Sequence, residues 1–124
     1  MMSLRVLVLD DQLSRRKQTV ESLGVIGVRA IYQANQCDKA MHVLQHADGV
    51  DIVVCELNSE KLEYFDFLLL AAKAGLVSAV VLWSQLEPQL HRAVERINLF
   101  SRISLIGVIG CDKPAQDLEL ILRN

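Results

Sequence analysis

The sequence predicts an α/β fold: one domain built on a doubly wound, five-stranded parallel sheet with helices on both faces. Three observations carry that prediction. Five short β-branched runs recur along the 124 residues, most of them apolar without alternation, and each is followed by a helical pattern. Continuous apolar strands belong to sheets covered on both faces. Strict βα alternation then requires crossover connections of one hand, which winds helices onto both sides.

The first strand is Leu4–Leu9, LRVLVL. A helix follows over Ser14–Leu23, where Ser14 can cap the first turn and Gly24 can close the last. The second strand, Val28–Ala34, leads into a helix over Asn35–Ala47 whose Ala40, Val43, Leu44 and Ala47 form one apolar stripe. Val50–Cys55 is the third strand, and Leu62–Ala74, apolar on most faces, ends at Gly75. Val77–Trp83 precedes a helix over Pro88–Phe100, with proline where the first turn tolerates it and Leu90, Ala93, Val94 and Ile97 as its stripe. Ser104–Ile109 is the fifth strand. Pro114–Leu122 is the last helix, with Leu118, Ile121 and Leu122 facing inward.

Composition narrows the function. Half the chain is apolar and 23% is charged, so it folds. A formal charge of −2 gives no long-range attraction to nucleic acid or an anionic membrane. No apolar run approaches the ~20 residues of a membrane span, and no secretory signal is evident. Cys37, Cys55 and Cys111 lack metal-like spacing, which points to a reducing, cytoplasmic compartment, with Cys55 a small core residue.

Ligands of doubly wound sheets collect beyond the carboxyl ends of the strands. At those ends the chain places Asp10 and Asp11, Glu56 with Asn58 two residues on, Trp83-Ser84, and Cys111-Asp112-Lys113-Pro114. Three carboxylates on one edge repel unless a cation balances them. Mg²⁺ is one solution, held by carboxylates, a backbone carbonyl and water. Lys113 is another. With Ser84, a lysine and a metal can hold the oxygens of a phosphoryl group.

These residues resemble a bacterial two-component response-regulator receiver domain over the whole chain, on "RVLVLDDQ", "DIVVCELN", "VVLWS" and "CDKP". The resemblance implies a (βα)5 flavodoxin-like sheet of order 2-1-3-4-5 and no enzymatic activity. It makes Asp10, Asp11, Glu56 and the backbone carbonyl of Asn58 the Mg²⁺ ligands. Glu56 takes the phosphoacceptor place, and Ser84 and Lys113 contact the phosphoryl group. It further implies a histidine kinase or other signalling protein as partner, a linked output domain with residues 1–124 as the receiver, and homodimerisation through the fourth helix, fifth strand and fifth helix. That face would include Leu90, Arg92, Glu95 and Arg96. The run "LIGVIGCDKP" is similar to receivers attached to cyclic-di-GMP phosphodiesterase domains.

The departures from that family matter more. Glutamate, not aspartate, holds the acceptor place, and Gly110 stands where many receivers carry a switching aromatic. The segment after Glu56 lacks the usual Met-Pro and Gly, and the Ser84-to-Lys113 interval is longer than usual, implying extra loop or helix around Asn98–Ser104. The added methylene moves the carboxylate about 1.5 Å into the space for the phosphoryl group, and misplacement of ~1 Å can slow transfer ~10²-fold. Three readings follow: a phosphorylation-independent receiver locked by Glu56–Lys113, a mimic of the phosphorylated state, and a receiver that still binds Mg²⁺ and accepts phosphoryl. Gly110 leaves the mimic's relay incomplete, which favours the first.

Two enzyme-like alternatives fit poorly. A haloacid-dehalogenase-like phosphatase needs a second acid two positions after the first, where Gln12 stands. A flavin or nucleotide binder needs a Gly/Ser/Thr-rich loop, where the chain has DDQLSRR. His42 and His46 read as surface residues, Arg15-Arg16-Lys17 as a solvated cluster bordering the acidic edge, and Tyr64 as the surface member of an otherwise core aromatic group.

Overall fold

Val6, Leu7, Val8 and Leu9 are all fully buried, which is why the first strand carries no polar alternation. They belong to β1 (Arg5–Leu9), and a computed structural model, describing residues 3–56, 62–83, 104–109 and 114–123, places this strand inside a five-stranded sheet. The remaining elements are α1 (Leu13–Ile26), β2 (Ala30–Ala34), α2 (Cys37–His46), β3 (Val50–Glu56), α3 (Leu62–Lys73), β4 (Val77–Trp83), β5 (Ser104–Ile109) and a C-terminal helix, Pro114–Arg123. The sheet is all parallel, as the apolar strands predict, and its order is β2-β1-β3-β4-β5, as the resemblance implies. The expected helix over Pro88–Phe100, with Leu90, Arg92, Glu95 and Arg96, lies outside the described residues, as does the extended segment after Asn98 up to Ser104, which opens β5.

Side chains of β1 and β3 alternate between two cores. Leu7, Leu9, Val53 and Cys55 pack beneath α2 and α3 with Leu44, Tyr64, Phe67 and Leu68. Val6, Val8, Ile52 and Val54 pack on the other face with Leu23, Leu118 and Leu122, from α1 and the C-terminal helix. Each fully buried Leu or Val contributes about 1.5–3 kcal/mol relative to exposure. The two faces together make the doubly wound, three-layer arrangement. Among the described residues, no helix is long and apolar enough to cross a membrane.

Three local readings change. Helix α1 does not stop at Gly24 but runs to Ile26, and Gly27, at φ 107°, forms the left-handed cap by donating its N–H to the carbonyl of Gly24. Val28 N–H then bonds to the carbonyl of Leu23, so the paired cap bonds fall around Gly27. Ser14 is not the cap; Gln12 is the N-cap, with no side-chain cap bond. Tyr64 is buried at 3% exposure, in the α3-side core. Gly75, at φ 72°, ends α3 as expected. The β4–β5 ladder shifts register between Val80 and Val81, which pair with Leu105 and Gly107, leaving Ile106 as the extra residue of a bulge.

Candidate functional site at the carboxyl edge of the sheet

Register lines the strand ends up at one edge. Leu9 pairs with Cys55, so Asp10 and Glu56 are the next residues on neighbouring strands β1 and β3. Glu56 in turn pairs with Trp83, and Trp83 with Ile109. Glu56 therefore ends the third strand beside the first, where the sequence puts it. Asn58, Ser84, Gly110 and Lys113 lie outside the described residues.

Asp10 is 1% exposed and has a partner for every polar group it carries. Its N–H donates to the carbonyl of Ala34 at 3.0 Å, extending the β1–β2 ladder by one residue. Its own carbonyl accepts from Arg16 Nη1 at 2.9 Å. Its carboxylate accepts Gln12 N–H on Oδ1 at 2.9 Å, Arg15 Nη2 on the same oxygen at 2.8 Å, and Arg15 Nε on Oδ2 at 2.5 Å. The Arg15 side chain is 10% exposed, so this bidentate pair is largely removed from water.

This pairing accounts for an otherwise unfavourable sequence. Helix N-termini favour acidic residues, because the macrodipole is positive there. The first turn of α1 has none and carries Arg15 and Arg16 instead, with Lys17 next. The expectation of a solvated basic cluster holds for Lys17, which is exposed, but not for its neighbours. Arg15 folds back onto Asp10, and Arg16 bonds both the Asp10 carbonyl and Gln33 Oε1, the latter at 3.2 Å. Arg15 is the site residue that sequence reasoning missed. The available signal was an acid ending a strand and an arginine five positions later, in an acid-free first helical turn.

The resemblance to receiver domains implies Mg²⁺ at such an edge, and the described side chains around Asp10 do not fit it. A carboxylate offers about four lone-pair sites, and three on Asp10 already accept hydrogen bonds. A divalent ion about 4 Å from a guanidinium meets repulsion of roughly 8 kcal/mol at an effective dielectric near 20. Asp11 is exposed, and among the described residues no three His, Cys, Asp or Glu side chains converge as ion ligands.

Two other groups border this edge. An open groove of about 650 Å³ runs between Arg16 and Gln33 on one side and Asp38, Lys39 and His42 on the other. Cys37 opens α2, its Sγ 3.9 Å from the Glu63 carbonyl. A thiol at a helix N-terminus is ordinarily acidified. Here burial first, then the charges of Glu63 and Asp38, push it up to about 11.

No family model matches the chain. It is 29% identical over 110 residues to the cyclic di-GMP phosphodiesterase RocR of Pseudomonas aeruginosa; the match covers 89% of this chain and 28% of that protein's length. In structure it is similar to a response regulator from Colwellia psychrerythraea, with a TM-score of 0.74 at 12% identity and 98% of each chain covered. It is also similar to a response-regulator receiver domain protein from Clostridium thermocellum, with a TM-score of 0.72 at 18% identity over 98% of this chain and 92% of that one. A signal receiver domain from Bermanella marisrubri superposes with a TM-score of 0.71 at 17% identity, covering 96% and 94%. The order of five parallel strands, the acidic pair after the first and the carboxylate ending the third converge with these likenesses on one conclusion: the chain has the response-regulator receiver fold.

Proposed function

We propose that this domain is an atypical receiver module of two-component signalling that works by protein–protein contact and without phosphorylation. The observation that carries this reading is Glu56, a glutamate ending β3 beside Asp10 and opposite Trp83. A glutamate is one methylene longer than the aspartate it replaces, about 1.5 Å of extra reach, and in-line transfer is intolerant of displacement on that scale. In this reading Ser84 and Lys113 are the former phosphoryl-contact positions, and Lys113 is the counter-ion of Glu56. The domain performs no catalysis itself.

Its partners are a histidine kinase or another signalling protein in the cytoplasm, and a linked output domain. The likeness to a cyclic di-GMP phosphodiesterase supports an output of that class, since the matched segment is only 28% of that protein. Self-association through the fourth helix, fifth strand and last helix belongs to the same proposal.

The test is incubation with acetyl phosphate and Mg²⁺ followed by intact-mass measurement. No adduct is expected. A stoichiometric phosphoryl adduct mapped to Glu56 overturns the reading in favour of a receiver that still accepts phosphoryl from a kinase.

A further inference from the structure

We infer that Arg15 is a built-in replacement for the divalent ion of the acidic edge, so that this receiver is organised without metal. The inference stands on the Asp10–Arg15 geometry and goes beyond the reading of Glu56. Arg15 offers Nε and Nη2 to the two oxygens of one carboxylate, at 2.5 and 2.8 Å, in a place where Asp10 is 1% and Arg15 10% exposed. A planar fork matched to a carboxylate gives both charge and orientation, which a hydrated ion supplies elsewhere.

Three features hold the guanidinium there. Helix α1 begins three residues after Asp10, which brings the first turn back over the strand end. The Gln12 N–H bond to Asp10 Oδ1 fixes the carboxylate's rotation. The Arg16 bond to the Asp10 carbonyl ties the same turn down a second time. The macrodipole of α1 disfavours a cation in this turn, so the arginine's position is explained by the carboxylate and not by the helix.

A cation tied into the chain competes with any ion for Asp10, and removing it should expose a carboxylate that accepts one. The experiment is titration of the domain with Mn²⁺, read as loss of the free-ion electron paramagnetic resonance signal. It is run on the natural chain, Arg15→Ala, Arg15→Lys and Arg15→Met, each checked for folding by circular dichroism. The natural chain and Arg15→Lys should leave the signal unchanged into the millimolar range, whereas Arg15→Ala should bind at least tenfold more tightly. Arg15→Met keeps an apolar stem and makes the same comparison should Arg15→Ala not fold. Equal binding by the natural chain and the charge-removing variants overturns the inference, and so does a folded charge-removing variant that binds no Mn²⁺. Because Mn²⁺ binding is read without phosphodonor, a natural chain that binds the ion defeats this inference and leaves the reading of Glu56 standing.

Discussion

Glu56 and Trp83 are the last pair of the β3–β4 ladder, backbone to backbone across the carboxyl edge. Neighbouring strands lie about 4.8 Å apart, so the chain's single tryptophan is a ready probe for a change at Glu56. With acetyl phosphate and Mg²⁺, Trp83 emission should stay constant in the natural chain. Glu56→Asp alone should also stay silent, because Arg15 still holds Asp10. Glu56→Asp combined with Arg15→Ala should gain both a phosphoryl adduct and an emission change, measured by intact mass and fluorescence on the same samples.

Breaking the Asp10–Arg15 pair should be expensive for stability. Removing one partner of a largely buried ion pair leaves an uncompensated charge, a loss of about 3–5 kcal/mol. Arg15→Ala should fall in that range by urea denaturation in chelator. Asp10→Asn combined with Arg15→Met should lose less than the sum of Asp10→Asn and Arg15→Met alone, so the double-mutant cycle gives a non-zero coupling. Strictly additive losses would show that the two side chains act independently.

The two glycines at the end of α1 should respond in opposite directions. Gly24 is helical and exposed, and an added Cβ there meets nothing within 4 Å. Gly24→Ala should therefore stabilise by about 0.5–1 kcal/mol. Gly27 sits at φ 107°, where a side chain is strained, so Gly27→Ala should destabilise by about 1–2 kcal/mol. Thermal melts of the two variants check the sign directly.

Cys37 should be a slow thiol at neutral pH. Its folded-state value of about 11 lies above the ordinary 9.0, so thiolate forms late. Alkylation by iodoacetamide, followed at the Cys37 peptide, should accelerate only as pH approaches about 11. The linkage has a defined sign: the raised value stabilises the fold fully below pH 9.0, and that contribution is lost as pH rises through about 11.

The sheet was legible because its strands are buried on both faces, and such runs announce themselves without reference to distant residues. Val6 to Leu9 and Ile52 to Cys55 are read correctly for that reason. Helix ends were less legible. Gly24 and Gly27 are equally plausible stops in a local reading, and only the meeting of Val28 with the sheet selects the later one. Tyr64 reads from sequence as the surface member of its aromatic group, whereas its place early in α3 puts it in the same core as Leu7 and Leu44. The register that sets Asp10 beside Glu56 follows from strand order, so that half of the site was readable. The Arg15 contact was not, because it depends on how tightly a helix turns back over the strand before it. Asn58, Ser84 and Lys113 remain sequence expectations, carried by motif and spacing.

A diffusible ion occupies its site in proportion to its free concentration, whereas a side chain five residues from its carboxylate has an effective concentration set by the tether alone. Dilution, chelation and changes in cellular magnesium leave it in place. The Asp10 end of the edge is then held the same way across ionic environments.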